Sequence, residues 1–438
     1  MKDYANTPQP TSRREFLKAS TTGAVGSVLA ANLSLSSTAN AANGDTLKIG
    51  LIGCGGRGTG AAGQALKADK NVALTAMADV FEDHLENSLK TLNKEVGDKV
   101  QVSPDHRFVG LDAYQKVIES GVDVVILATP PGFRPQHLRA AVEAGKHIFC
   151  EKPMATDAPG LRSVLESVEL AKKKNLALVA GFCWRYDYAR RELFSRVHDG
   201  AVGEIRAIYA TYYTTPVKPM PAPSERPVGA TDLQWQLRNW YNFAWLCGDG
   251  LVEQAVHSID KIGWAMGDTH PIKAVAVGGR QSPNNEGNIY DHMEVNYEFA
   301  NGARAFMGQR QISGCYNQTA DYIMGSKGMA TIGVRPMIPV EISGDVSWRY
   351  TGPKNEMYQT EHDELFASIR SGKHINDGVR MANSTMMAIM GRIAAYTGQE
   401  ITWEQAINSQ ESLVPEHLDW DMKLPIASMA IPGRTKFV

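Results

Sequence analysis

The sequence predicts an α/β protein of two domains. The first is a doubly wound parallel sheet, and the second is an α+β domain built on an open-faced mixed sheet. Three observations carry this. Short apolar runs alternate with helical stretches over residues 46–178. The first of those runs leads straight into a glycine-rich turn. Residues 288–350 then change to alternating apolar and polar positions, punctuated by Ala300-Asn301-Gly302 and Gly325-Ser326-Lys327-Gly328. A chain of 438 residues has room for two or three domains of about 100–200 residues each. An apolar share of 43% supplies a sizeable core.

The first forty residues read as an address. Residues 11–18 are Thr-Ser-Arg-Arg-Glu-Phe-Leu-Lys, a weakly apolar stretch follows over 19–35, and Ala39-Asn40-Ala41 offers a small-x-small cleavage site. Paired arginines ahead of that order predict a twin-arginine export signal over residues 1–41. Its expected partner is the translocon. The mature protein is then periplasmic or otherwise exported, with no membrane insertion once the signal is removed.

The elements follow in order. Residues 46–52 form a buried strand that runs into Gly53-Cys54-Gly55-Gly56-Arg57-Gly58, a G-x-G-x-x-G turn. Gly53 permits the tight turn, Gly55 lets backbone approach a pyrophosphate, and Gly58 lets the next helix pack on the strand. A helix over 59–68 presents N–H groups to the anion. A second strand over 72–78 ends at Asp79, 21 residues beyond Gly58. A carboxylate there suits ribose hydroxyls and repels a 2′-phosphate, which favours NAD over NADP. Strands at 122–128 and 147–150 end in Thr129-Pro130 and Glu151-Lys152-Pro153, with helices at 112–120, 134–144 and 157–174 between and after them. Ligands of such Rossmann sheets sit at the carboxyl ends of the strands. Gly53, Gly55, Gly56, Arg57, Gly58, Asp79, Thr129, Pro130, His137, Glu151, Lys152 and Arg185 are therefore assigned to the cofactor. An exported dinucleotide protein should hold its cofactor tightly and regenerate it in place, because free dinucleotide is scarce outside the cytoplasm.

At Glu151-Lys152-Pro153 the chain resembles the glucose–fructose oxidoreductase/inositol dehydrogenase/MocA (Gfo/Idh/MocA) family. The resemblance covers nearly all of residues 46–438. It continues in Gly181-Phe-Cys-Trp184-Arg185-Tyr186, in Asp199-Gly-Ala-Val-Gly203-Glu-Ile205, in Glu253-Gln-Ala-Val-His257-Ser-Ile-Asp260 and in Met324-Gly-Ser-Lys327-Gly328. It implies a nicotinamide-dependent sugar or polyol oxidoreductase, a dinucleotide domain over 46–178 and a substrate and oligomerisation domain over 179–438. Helices near 358–371 and 379–397 are expected to pack back on the first domain, and the protein is expected to be a homo-oligomer.

Oxidising a carbinol requires a base, a cation beside the developing alkoxide, and a fixed nicotinamide. The resemblance assigns Lys152 to the hydroxyl and alkoxide. On a helix read over 251–264, Glu253 and His257 are four residues apart and can meet. His257 is assigned as general base, with Glu253 as its orienter or as a second substrate ligand. Glu253 stands where the family commonly has Asp, one methylene shorter. Trp184, Arg185, Arg238 and Trp240 are candidate substrate contacts, since aromatic faces and cationic or amide groups suit sugar rings. The segment 216–250 that carries the last two could wall the pocket.

Strands are read at 292–299, 303–312, 319–324, 329–332 and 340–342. Lys+Arg of 45 against Asp+Glu of 47 gives a net charge of −2, which argues against a polyanion-binding protein, so no nucleic-acid partner is expected. Cysteines at 54, 150, 183, 247 and 315 form no Cys-x-x-Cys pair, and no metal site is expected. Two other readings stay open: a redox-neutral glycosidase resembling family 109 glycoside hydrolases, and a dinucleotide-binding protein without catalysis.

Overall fold

The structure, a computed structural model, describes residues 45–282, 285–333 and 338–438, so the expected export signal lies outside the described residues. Six strands, β1 (Leu47–Ile52), β2 (Val72–Asp79), β3 (Arg107–Val109), β4 (Val124–Leu127), β5 (His147–Cys150) and β6 (Leu178–Ala180), form a wholly parallel sheet in the order β3-β2-β1-β4-β5-β6. Ile49, Leu51, Val125 and Ile126 are fully buried, as strands covered on both faces require. The connecting helices are α1 (Gly56–Ala68), α2 (Glu82–Val96), α3 (Ala113–Glu119), α4 (Arg134–Glu143) and α5 (Ala158–Lys173). The strand order reverses between β1 and β4, and the crevice at that switch point is where such sheets hold ligands.

Nine further strands form the second sheet: β7 (Ile205–Thr214), β8 (Lys273–Gly279), β9 (His292–Glu298), β10 (Arg304–Gln311), β11 (Gln318–Gly325), β12 (Gly328–Gly333), β13 (Glu341–Gly344), β14 (Trp348–Arg349) and β15 (Ile401–Thr402). Their order is β14-β13-β12-β11-β7-β10-β9-β8-β15. Only the central β7–β10 pair is parallel, which makes the sheet mixed. Ala305 and Met307 of β10 and Val295 and Tyr297 of β9 are buried on one face. The opposite face carries Val275 and Val277 of β8 in solvent.

The remaining helices are α6 (Tyr188–His198), α7 (Asp232–Arg238), α8 (Ala244–Cys247), α9 (Gly250–Glu253), α10 (Val256–Ala265), α11 (Met357–Ser371), α12 (Gly378–Thr397) and α13 (Trp403–Asn408). Helix α11 returns to α1 through Leu365, Phe366 and Ile369, which share a core with Ala61, Ala62 and Leu66. Helix α12 is apolar nearly all round, with Met386, Ile389, Met390 and Ala394 fully buried. That composition fits its place between α5 of the first sheet and β8 and β9 of the second. A third apolar cluster joins α7 and α8 to the first domain. Leu237, Phe243, Trp245 and Leu246 pack with Phe133, and the chain after α13 covers them with Leu418, Trp420 and Leu424.

Two expectations change. Strand β7, the centre of the second sheet, falls outside the strands read from the sequence. The helix read over 251–264 is two helices: α9 ends at Glu253, and Ala255 N–H bonds back five residues to Gly250 O before α10 begins.

Candidate active site

The cradle follows from local backbone. Gly53 sits at φ +99°, where a Cβ would stand 2.6 Å from the carbonyl carbon of Ala128. At Gly58 a Cβ would stand 1.9 Å from Gly53 O, so the turn closes only on glycine. Gly55 and Gly56 have nothing within 4 Å of that position, and the first turn of α1 carries no acid. The start of the helix therefore faces open space, as a pyrophosphate needs. A cleft of about 320 Å³ runs from these glycines past Asp79, Phe81 and His84 on one side and Thr129, Pro130 and His137 on the other. Asp79 accepts from Cys54 N at 2.7 Å and Phe81 N at 2.9 Å, which fixes its carboxylate at the rim of the fingerprint. These residues fit a dinucleotide: helix N–H groups for the phosphates, and a fixed carboxylate where a ribose would lie.

Thr129 and His137 hold one another, Oγ1 to Nδ1, at 3.2 Å. Burial, then the charge of Arg134, pushes the His137 imidazole down to about 3, so it is a neutral wall stacked on Tyr114 at 4.1 Å. Arg134 is a functional residue that sequence reasoning missed. Its guanidinium donates to Thr129 O at 2.8 Å and Pro153 O at 2.5 Å, tying the loops after β4 and β5 together. Glu151 is engaged by Arg57 Nε at 2.9 Å, and Arg57 lies over the Tyr358 ring of α11.

Lys152 leaves the end of β5 with 11% of its side chain exposed. Its Nζ donates to Glu253 Oε1 at 2.9 Å and to Glu253 O at 2.5 Å. The structure thus brings Lys152 and Glu253 together. Glu253 does not meet His257: with α9 ending at Glu253, the four-residue helical spacing no longer holds, and the carboxylate turns to Lys152 and Gln254 Nε2. His257 lies against Trp184, ring centroids 5.0 Å apart, and its Nδ1 is buried with no partner. Burial, then the charges of Lys152, Lys261 and Arg190, holds the imidazole well below its usual range, so it is neutral. The ring as a whole is half-buried and neutral, the form in which an imidazole can accept a proton. Trp184 forms the floor beneath it, with Lys261 Nζ 3.9 Å from its ring centre.

The other candidate contacts are redistributed. Arg185, expected at cofactor or substrate, is only 3% exposed and is bound to Asp260 at 2.8 Å and Asp268 at 2.6 Å. These two carboxylates, Asp260 buried and Asp268 at the surface, engage its guanidinium, and Arg185 does not line the cleft. Arg238, expected at substrate, clasps Asp83 of α2 with two bonds of 2.6 and 2.7 Å and stacks on Phe81, 3.7 Å from the ring centre. Trp240 lines the dinucleotide cleft and stacks on Tyr241 at 3.9 Å. Tyr241, within the segment 216–250, has its hydroxyl 3.4 Å from Gln254 Nε2. It therefore joins the cleft wall to the residue beside Glu253.

Two family models match. One, described as an oxidoreductase family with an NAD-binding Rossmann fold, covers residues 47–182. The other, described as a GFO/IDH/MocA C-terminal domain, covers residues 191–331. An inositol 2-dehydrogenase of Rhizobium meliloti is 25% identical over 76% of this chain and 93% of its own length. A dTDP-3,4-didehydro-2,6-dideoxy-alpha-D-glucose 3-reductase of Actinomadura kijaniata is 26% identical over 41% of this chain and 49% of its own length. A levoglucosan dehydrogenase solved with NADH and levoglucosan superimposes with a TM-score of 0.63 over 82% of this chain and 99% of its own, at 19% identity, a likeness of fold.

Proposed function

Because the chain belongs to the Gfo/Idh/MocA oxidoreductase family, we propose that it moves a hydride between a tightly held NAD and a carbinol of a sugar, glycoside or polyol. The observation that carries this reading is Lys152 Nζ, fixed by Glu253 at the strand end beside a half-buried neutral His257. Bound nicotinamide supplies the hydride acceptor or donor. His257 takes the hydroxyl proton. The Lys152 ammonium lies against the developing alkoxide and lowers its energy in a water-poor site. Glu253 holds that ammonium in one position and leaves at least one of its three protons for substrate. In the reverse direction Lys152 polarises a carbonyl and His257 returns the proton.

Gly53, Gly55, Gly56, Arg57, Gly58, Asp79, Thr129, Pro130, His137 and Glu151 are the cofactor contacts of this reading, with the boundary between domains near residue 178. Asp79 supports NAD over NADP, since both cations that neighbour the rim, Arg57 and Arg238, are engaged by Glu151 and Asp83. The redox-neutral glycosidase reading is not favoured: the described relatives are dehydrogenases and a reductase. Residues 1–41 are the twin-arginine signal in this reading, and export follows from it. The open face of the second sheet, with Val275 and Val277 in solvent, supports a homo-oligomer built on that face. Among the described residues no helix is long and apolar enough to cross a membrane.

The test is to identify the dinucleotide that copurifies, then follow its absorbance against a panel of sugars, glycosides and polyols. Reduction with accumulation of a keto product is expected. A panel that leaves the cofactor unchanged, with Lys152→Ala behaving like wild type throughout, would sink the reading. Export is checked by replacing Arg13 and Arg14 with lysine and measuring the secreted fraction, which should collapse.

A further inference from the structure

A second cavity, about 570 Å³, lies where the loops after β7, β8 and β10 converge, and no step above uses it. It is not isolated. Tyr241 lines both this cavity and the dinucleotide cleft. The Tyr241 hydroxyl reaches Gln254 Nε2, and Gln254 Nε2 in turn bonds the Glu253 carboxylate that holds Lys152. Three side chains, Tyr241, Gln254 and Glu253, thus link the cavity wall to the lysine.

Its charged lining groups are engaged by the protein itself, beginning with Lys218, whose Nζ donates to Arg238 O at 2.5 Å. Arg280 directs Nε and Nη2 to Ile289 O and Nη1 to Gly287 O, so no fork of the guanidinium is left for an anion. Asp291 is bound by the N–H groups of Gln281 and Ser282 and by His292. Gln311 differs. It is 9% exposed, lines the cavity, and its Nε2 has no partner. An unpaired buried amide N–H is costly unless a ligand completes it. A side-chain amide that both donates and accepts, next to the Tyr241 ring, matches a ring bearing hydroxyls.

We infer that this cavity is a distal subsite for a second, uncharged glycosyl ring, so that the preferred substrate is a disaccharide or larger glycoside oxidised at the ring beside Lys152. The inference rests on the reading of Lys152 and His257 as the reacting centre. The second ring meets Gln311 beyond Tyr241, and its binding energy positions the first ring, which raises kcat/KM.

The test uses the full protein carrying its dinucleotide. Probes are glucose, galactose, mannose and xylose, each beside a disaccharide that contains it. Two quantities are read: kcat/KM from cofactor reduction, and Kd by calorimetry. At least one disaccharide should exceed its monosaccharide by tenfold or more in kcat/KM and in Kd. Gln311→Leu should bring that ratio towards one. Because Gln311 is buried and its variant could misfold, Val217→Trp is the second probe. Val217 is 50% exposed on the cavity wall, so an indole there fills the space without a core change. Equal constants for mono- and disaccharides across the panel would overturn the subsite, as would a ratio that survives both variants. The two readings fail separately. Reduction without length preference removes the subsite and leaves the oxidoreductase. Length-dependent, Gln311-dependent binding without reduction removes the oxidoreductase and leaves the subsite.

Discussion

The clasp between Arg238 and Asp83 makes a kinetic prediction. It joins the two walls of the dinucleotide cleft: Phe81 and His84 follow β2 on one side, and Leu237, Trp240 and Tyr241 stand on the other. A dinucleotide that enters or leaves between these walls must part the clasp. The Arg238 and Asp83 side chains are 41% and 55% exposed, which limits the ion pair to about 0.2–1 kcal/mol. Stacking of the guanidinium on Phe81 adds about 0.5–1 kcal/mol at such an exposed site. Together they raise the opening barrier by about 1–2 kcal/mol, or about five- to thirtyfold in rate. Arg238→Ala should speed both release and entry by that factor and leave Kd within about threefold. The assay is stopped-flow displacement of bound NADH, read by its fluorescence, with association measured on stripped protein. Added salt should mimic the variant in wild type, because exposed ion pairs are screened. An unchanged release rate would refute the argument, and so would a large loss of affinity with no change in release.

Other outcomes follow from the same geometry. Lys152→Ala and Glu253→Gln should each lower kcat by about 10²–10⁴ while the dinucleotide stays bound, as is usual for groups that act in proton transfer and alkoxide stabilisation; cofactor loss on gel filtration would move them to the cradle instead. His257 is neutral well below its ordinary range, so kcat/KM should show no acid limb near pH 6.5. A limb at or above that pH that vanishes in His257→Asn would contradict its environment. Gly58→Ala puts a methyl 1.9 Å from Gly53 O and should abolish dinucleotide binding, measured by titration against NADH fluorescence. Asp249 is buried at φ +90° with one oxygen unpaired, and burial raises its carboxyl from 3.8 to about 6. Its charged form therefore costs the fold about 3 kcal/mol above pH 6 and nothing below about pH 4. Asp249→Asn should raise the unfolding free energy at pH 8 and lose that gain as the pH falls through 6 to 4; an equal effect at both ends would show that charge is not the cause.

The first sheet was legible because its chemistry is local. Strand, turn and glycines at 47–58 specify one another within a dozen residues, and Glu151-Lys152-Pro153 stands at a strand end that its own apolar run marks. Strand β7 was not legible. Tyr209 and Tyr213 on its open face blur the alternation by which strands are recognised, and its neighbours β10 and β11 lie about a hundred residues away. The lysine–carboxylate pair was visible only as two separate candidates, since its members are 101 positions apart in the chain. Arg185 misled for the same reason: its partners Asp260 and Asp268 are 75 and 83 residues distant, and a cation beside a strand end looks the same in sequence whether or not a buried acid awaits it. The pairing of Glu253 with His257 failed because a regular helix was assumed through Gln254 and Ala255, where the chain takes a wider turn.

Helix α12 has a consequence for how the molecule moves. Its buried methionines and isoleucines face the first sheet's helices on one side and the second sheet on the other. Rocking one sheet against the other would strip a large apolar surface, at about 25 cal/mol per Å² exposed. Its amide protons should therefore exchange with solvent only through global unfolding, among the slowest in the chain. The two sheets breathe as one block, and the motions that admit a ligand are left to the loops at the strand ends and to the clasped segment over the cleft.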